Sequence, residues 1–310
     1  MRVLQVSKFF PPVMGGIESV AWELSEGLAH GGVRADVLCS NQQARTVHET
    51  RAAGYAVCRA GSWGRVLSTS MAPSMPWLLH RMARAADIVH VHMPDPMAAA
   101  AIRLASPRGR LVVHWHSDVI RQRRAMRLYA PLQRWLLARA DAVIATSEAY
   151  AQSSEPLRAC AAKVHVIPIG IGDNRVPPGD EKTQRLRQRF RGRHIIFALG
   201  RMTYYKGFDV LVDAAGRLPE DCVLLVGGDG ELLEPLRREV AQRGLAGKLQ
   251  LLGHIDDDDL ASHFMACDVF CMPSTLRAEA YGVALLEAMM MGKPIVATRI
   301  EGSGVPWVNV

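Results

Sequence analysis

Arg201 and Lys206 stand five residues apart in GRMTYYKG, and farther along the chain Glu279 and Glu287 bracket the run EAYGVALLE. Two cations in a strand-to-helix turn can converge on two phosphates through charge-assisted hydrogen bonds. When a diphosphate leaves, negative charge grows on its oxygen. A cation preorganised there is worth roughly 3–4 kcal/mol to the transition state. The run after Glu279 predicts a helix beginning near Gly282, whose unpaired backbone NH groups and dipole favour an anion, with glycine allowing close approach. Two carboxylates beside a phosphate site repel it unless they bind hydroxyls instead. Glu279 and Glu287 therefore fit as acceptors for sugar and ribose hydroxyls. Taken singly, each motif also fits a bland reading: exposed basic loop residues, or a helix with a favourable N-terminal acid.

A second set of reactive types lies earlier. His90 and His92, with His114 and His116, form two H-x-H pairs, and the period of two puts each pair on one strand face. Four imidazoles raise the question of zinc. No cysteine or carboxylate ligand set accompanies them, so no metal is expected. Asp118, in HWHSD, could position an acceptor hydroxyl or take its proton. Asp256 to Asp259 contain D-x-D, which reads better as capping and complementing a helix N-terminus than as a metal site. From Val119 to Arg139 run Arg121, Arg123, Arg124, Arg127, Arg134 and Arg139, with Leu128, Leu132, Trp135 and Leu136 at helical spacing. Such a helix can bury one stripe while its arginines and Trp135 meet an anionic membrane, with a kink at Pro131.

These residues need a frame, and the chain supplies an alternation of short apolar runs and amphipathic segments. RVLQVS, VRADVLC, DIVHVHM, RLVVHWH, AVIAT and KVHVIP read as strands of a first parallel sheet; HIIFALG, CVLLVGG, KLQLLG, DVFCMP and PIVATR read as a second. The Gly/Pro-rich stretch IPIGIGDNRVPPGD separates them, giving domains 1–170 and 171–310. Open α/β sheets bind ligands at the carboxyl ends of their strands. Gly15–Gly16, His116–Asp118, Arg201, Gly227–Gly230 and Glu279–Gly282 all fall there. The fold class expected is α/β, with two Rossmann-like parallel-sheet domains facing each other across a cleft.

Composition narrows the partners. At 310 residues, 49% hydrophobic and 22% charged, the chain can bury two cores. A net charge of +7 favours an anionic partner. QRLRQRFRGR reads as a solvated helix, and no nucleic-acid module or aromatic interleaving accompanies it. The six cysteines form no C-x-x-C pair, no apolar run is long enough to span a bilayer, and no secretory signal is evident. A cytoplasmic protein is expected, with at most a peripheral seat on the inner membrane face. A dinucleotide-dependent oxidoreductase is disfavoured, because the first turn lacks G-x-G-x-x-G and GGDGEL matches it only in part.

Taken together in chain order, Gly15–Gly16, Arg201, Lys206 and Glu279-Ala-Tyr-Gly-Val-Ala-Leu-Leu-Glu287 resemble the retaining GT-B glycosyltransferases of family 4, over essentially the whole chain. The resemblance implies an N-terminal acceptor domain and a C-terminal domain that binds a nucleotide-sugar. It puts Arg201 and Lys206 on the diphosphate, Glu279 on the donor sugar and Glu287 on the ribose. Backbone around Tyr281, Gly282 and Val283 lies near the phosphate, His254 lines the nucleobase pocket, and Gly15 and Gly16 join the donor site. His116 is implied at the reaction centre and Asp118 on the acceptor side, with no cofactor. HVHMPDPM, HWHSDVIRQ and EGSGVPWVN resemble bacterial surface-polysaccharide enzymes. That implies transfer of a hexose, mannose from GDP-mannose first, to a saccharide or polyprenyl-linked acceptor. A UDP-sugar donor and an inactive nucleotide-binding fragment are the alternatives. Family members usually continue past GKPIVAT, so a shortened C-terminus is a further expectation.

Overall fold

The structure, a computed structural model, describes residues 1–13, 15–120, 123–172 and 181–309, with only the backbone of Arg123. Arg121 and most of the Gly/Pro-rich connection, 173–180, lie outside the described residues. The chain divides into two compact units, Met1–Ile169 and Gly170–Val310.

The first unit carries β1 (Arg2–Ser7), β2 (Arg34–Ser40), β3 (Val47–Thr50), β4 (Ala56–Ala60), β5 (Arg65–Val66), β6 (Thr69–Ser70), β7 (Ile88–Met93), β8 (Arg110–Trp115), β9 (Ala142–Ala145) and β10 (Val164–Val166). Eight of these build one sheet in the order β10-β9-β8-β7-β1-β2-β4-β3. Its pairings are parallel except for β3 against β4. The inner strands read as apolar runs because helices cover both faces: Val3, Leu4, Val6, Val89, Val91, Leu111 and Val113 are all buried. The β3–β4 pair and the β5–β6 hairpin were not expected from the sequence. They are short and lack the Asn-Gly or Asp-Gly turns that mark hairpins.

The second unit carries β11 (His194–Leu199), β12 (Cys222–Gly227), β13 (Leu249–Gly253), β14 (Val269–Met272) and β15 (Ile295–Ala297). All run parallel, in the order β13-β12-β11-β14-β15. Ile195, Phe197, Val223, Leu225 and Phe270 fill one face of this sheet; Ala198, Leu224, Val226 and Leu249 fill the other.

Each sheet has a point where its strand order reverses. In the first unit it falls between β1 and β7, in the second between β11 and β14. Crossover segments leave in opposite directions there, which opens a crevice at the carboxyl ends of the two strands.

The basic helix spans Arg123–Arg139 and continues across Pro131 without a break. It buries Tyr129, Gln133, Leu136 and Leu137 against the unit and exposes Arg124, Arg127, Leu128 and Arg134. Trp135 is half-buried beneath the Arg103 guanidinium, 5.0 Å from its ring. Among the described residues no helix is long and apolar enough to cross a membrane.

Candidate functional site

The strand-order reversal of the second unit is where Lys206 and Glu279 meet. Lys206 follows β11 and Glu279 follows β14, and these strands are ladder neighbours. Lys206 Nζ lies 2.6 Å from Glu279 Oε2 with both side chains nearly buried. Ser274 Oγ donates to the same carboxylate oxygen at 2.9 Å. Burial disfavours charge on Lys206, but the Glu279 carboxylate and Tyr205 outweigh it, so the ammonium is held above its ordinary pKa. Sequence reasoning separated these two side chains, one for phosphate and one for sugar. The structure pairs them, which orients the ammonium and commits one carboxylate oxygen. Arg201 is exposed, and its charge bears on the Lys206 ammonium.

Glycines allow this approach. A Cβ on Gly207, which has φ of +67°, would sit 2.1 Å from the Pro273 carbonyl oxygen, and Thr275 N donates to Tyr205 O at 2.8 Å. The turn after β11 is thus pressed onto the loop after β14. On the other side, a Cβ on Gly228 would lie 1.9 Å from Gly200 O, and one on Gly230 would lie 2.5 Å from Met202 O. The GGDG segment therefore packs backbone on backbone, which is what its glycines are for; it is not a dinucleotide fingerprint.

Gly282 takes φ of +86° and opens the helix Val283–Met290, with Glu287 one turn inside. Tyr281 is buried with its ring 6.3 Å from Trp307, and Gly304 N donates to Ala280 O at 2.8 Å. The helix N-terminus at Val283 thus follows directly on the Glu279–Tyr281 loop. His254 stands apart from this arrangement. Its ring is exposed at the end of β13 and lies 3.5 Å from Asp256. Asp256 occupies the N-cap position of the helix Asp257–Ala266 but makes no side-chain cap bond, while Asp259 pairs with Lys182. The expected side-chain cap is therefore not formed, and the acidic run complements the helix end by charge.

In the first unit, β7 and β8 pair with His92 opposite His114. Both H-x-H motifs therefore merge into one stack of four rings, with centroids 4.2–5.5 Å apart and planes within 24° of parallel. All four are buried. Burial pulls His90 down to about 4 and His116 down to about 3, and holds His92 and His114 well below the ordinary histidine value. These imidazoles are neutral at ordinary pH.

Gln5, in the middle of β1, was missed by sequence reasoning. Its signal was a polar residue inside an apolar strand that is covered on both faces. Gln5 Oε1 lies 3.0 Å from His92 Nε2, and His92 Nδ1 lies 2.9 Å from His116 Nε2. An amide oxygen only accepts, so with this orientation His92 carries its proton on Nε2 and accepts on Nδ1. His116 then donates from Nε2 and keeps a lone pair on Nδ1. The chain of bonds crosses the β1–β7 reversal point. His92, His114 and His116 also bring ligand-capable atoms within 4.8 Å of one another. Proximity alone does not build a metal centre here. His92 is bonded at both ring nitrogens, so a cation on it would have to displace one of those bonds.

Asp118 accepts from Trp115 Nε1 at 2.9 Å and from Ser154 Oγ at 2.7 Å, and its backbone NH donates to Tyr150 OH at 2.7 Å. Two donors thus hold Oδ1 and fix the orientation of the Asp118 carboxylate. Gly15 is the extended N-cap of the helix Gly16–His30, and a Cβ there would meet Glu18 Oε2 at 2.6 Å; one on Gly16 would meet nothing within 4 Å. The turn before it is held by Arg59, which donates to Phe10 O at 3.0 Å, and by Arg51, which donates to Pro11 O at 2.8 Å.

Asp95 is a further residue that spacing did not flag. It caps the helix Pro96–Ala105 by accepting from Met97 N at 3.0 Å, and burial pushes its carboxyl up to about 6 against the opposing pull of Lys8.

Comparison with known proteins agrees with this architecture. Residues 14–175 match Glycosyltransferase Family 4, and residues 180–305 match Glycosyl transferases group 1. The chain is similar to O-antigen chain mannosyltransferase C of Escherichia coli, with 35% identity over all of this chain and 82% of that one. It is 32% identical to D-rhamnosyltransferase WbpZ of Pseudomonas aeruginosa, over all of this chain and 80% of the relative. In structure it resembles HepE of Anabaena in complex with UDP-glucose, with a TM-score of 0.77 and 21% identity over 99% of this chain and 82% of that one. Sucrose-phosphate synthase from Thermosynechococcus elongatus aligns with a TM-score of 0.78 and 19% identity, over 97% and 82%. The two parallel-sheet units, the Lys206–Glu279 loops at one strand-order reversal and the histidine stack at the other thus belong to a GT-B glycosyltransferase, and the chain is a member of glycosyltransferase family 4.

Proposed function

We propose that the chain transfers a hexose, mannose from GDP-mannose in the first place, to a saccharide or polyprenyl-linked acceptor with retention, in the synthesis of a bacterial surface polysaccharide. The observation that carries the reading is the Lys206–Glu279 pair at the carboxyl ends of β11 and β14, beside a helix N-terminus at Val283. Its sugar rests on the mannosyltransferase to which the whole chain is 35% identical.

In this reading Arg201 and Lys206 meet the charge that grows on the leaving diphosphate. The NH groups of the first turn after Gly282 face a phosphate, and Glu287 takes the ribose. Glu279 keeps one oxygen on Lys206 and offers the other to a sugar hydroxyl. Retention follows from front-face substitution. The bond from C1 to the phosphate oxygen breaks, the acceptor oxygen bonds to C1 on the same face, and its proton passes to the departing phosphate. No side chain need form a covalent intermediate. Neutral His116, its tautomer set through His92 and Gln5, accepts a hydroxyl of donor or acceptor on Nδ1. Gly15 and Gly16 give backbone access at the start of their helix. His254, exposed beside Asp256, serves the nucleobase through its backbone. The net charge of +7 and the outward arginines of the helix Arg123–Arg139 support a peripheral seat on an anionic membrane, on the cytoplasmic face.

A panel of GDP- and UDP-sugars, read by nucleotide release and by protection against thermal unfolding, tests the proposal. GDP-mannose should give the strongest response. A response only to UDP-glucose, the donor named with the HepE structure, would replace the base and sugar. Turnover with GDP-D-rhamnose but not GDP-mannose would favour the second reading, motivated by the 32% identical rhamnosyltransferase. Silence toward every donor would sink the assignment of an active site.

A further inference from the structure

Between Glu49 and Asp87 the chain contains no acidic residue, while Arg51, Arg59, Arg65, Arg81 and Arg84 all fall in that interval. The same interval holds the β5–β6 hairpin, whose register places Arg65 opposite Ser70 and Val66 opposite Thr69. The two residues left at its tip are Leu67 and Ser68, with φ of +48° and +68°. Two successive left-handed residues make the tight hairpin turn that Asn-Gly or Asp-Gly ordinarily fills, and leucine is among the poorer choices for it. The strained residue is also presented to water: Leu67 is 65% exposed, Val66 58% and Trp63 78%. Nothing in the fold's own packing requires a leucine there.

The hairpin is continued by Trp63 N donating to Met71 O and Met71 N donating to Gly64 O, both at 2.9 Å. Alternation then puts Val66 and Met71 on one face and Trp63 with Arg65 on the other. Immediately after it, the helix Met75–Ala83 turns Trp77, His80 and Arg81 outward, with Arg84 just beyond its end. Trp77 is 60% exposed with the Arg81 guanidinium 5.5 Å from its ring. Tryptophan, leucine and methionine beside arginines, without an acid, match the apolar and anionic layers of a charged bilayer surface. Arg51 and Arg59 are paired with Glu49, whereas Arg65, Arg81 and Arg84 are exposed in a stretch without an acid of its own, which complements an anionic bilayer surface.

We infer that the β5–β6 hairpin and the outward face of the helix Met75–Ala83 form a membrane-docking surface, with Leu67 and Trp63 entering the interface of an anionic bilayer and Arg65, Arg81 and Arg84 meeting its headgroups. The inference rests on the membrane part of the functional reading above. It adds an apolar contact on a different surface from the Arg123–Arg139 helix, whose Trp135 is half-buried.

Sedimentation with vesicles of phosphatidylglycerol and phosphatidylethanolamine, set against phosphatidylcholine alone, tests it. Two variants separate the surfaces. Leu67→Asn with Ser68→Gly installs residues that suit the turn while deleting its apolar tip; Arg124→Glu with Arg127→Glu reverses charge on the other helix. Expected are binding to the anionic vesicles that weakens with salt, and partitioning about tenfold weaker for the hairpin variant. Its melting temperature should be unchanged or higher, which separates lost docking from lost folding. If the hairpin variant binds like the parent and the helix variant does not, the hairpin assignment is overturned and the membrane reading stands. Failure of the parent to bind anionic vesicles overturns both. A hairpin variant that changes self-association in light scattering, with vesicle binding intact, makes the patch a protein contact and also overturns the inference.

Discussion

At the scale of single residues, the Lys206–Glu279 pair is the feature with the clearest cost of removal. Both groups are nearly buried, so deleting one leaves the other without its countercharge. Lys206→Ala should lower kcat/KM by about 10²–10³, the usual effect of losing one preorganised charge stabiliser. It should also lower the melting temperature, because Glu279 loses its partner. Steady-state kinetics and a thermal melt on the same preparation read both. Asp95 behaves in the opposite sense. Its folded pKa of about 6 lies above the ordinary 3.8, so the folded state binds the extra proton between those values and loses stability as pH rises through that window. Asparagine caps a helix as well as aspartate and carries no charge to bury. Asp95→Asn should therefore raise the melting temperature at pH 8, by a ΔΔG on the order of 1–3 kcal/mol, and leave it nearly unchanged at pH 4. A decrease at pH 8 would count against burial as the source of the shift.

At the scale of elements, the register of β7 on β8 turns four separate histidines into one neutral stack. The sign of its pH effect follows from their depressed pKa values. Below the ordinary value of 6.5 the unfolded chain takes up protons that the buried rings refuse, so stability falls as pH drops from about 6.5 toward 3. Melting curves from pH 7.5 to 4.5 should show this loss, and His90→Asn should make it shallower. A parallel profile for the variant would place the acid sensitivity elsewhere. The strand-end glycines of the second unit are equally specific. A Cβ at Gly228 would stand 1.9 Å from the Gly200 carbonyl oxygen, on backbone that carries Arg201 next in sequence. Gly228→Ala should cost about 3 kcal/mol or more, combining that clash with a φ of +125°. Denaturant unfolding would measure it, and a loss below about 1 kcal/mol would mean that the two loops separate freely.

At the scale of the whole molecule, the groups proposed for the donor diphosphate and those proposed for the reaction centre belong to different compact units. A donor should therefore still protect His116→Ala against thermal unfolding while turnover is lost. Lys206→Ala should lose both. Equal loss of donor protection in the two variants would show that His116 contributes to donor binding as strongly as Lys206 does.

Much of this was legible in the amino-acid order. Apolar runs broken by amphipathic segments are a local property, and the eleven strands expected from them and the Gly/Pro-rich division near residue 170 need no tertiary information to be seen. The same holds for Arg201, Lys206, Glu279 and Gly282, whose spacing follows the strand-to-helix turns that carry them. What the sequence could not supply is which strands lie side by side. That Lys206 pairs with Glu279 depends on β11 lying beside β14, and that the H-x-H motifs form one stack depends on β7 pairing with β8 in register. Gln5 became a partner of His92 only once β1 was set against β7. That Trp115 and Ser154 reach the same oxygen of Asp118 likewise shows only in the folded chain. Sequence patterns encode each element's period and polarity, whereas long-range pairing is settled by burial of the whole sheet, so chemistry on one turn was readable and chemistry shared between strands was not.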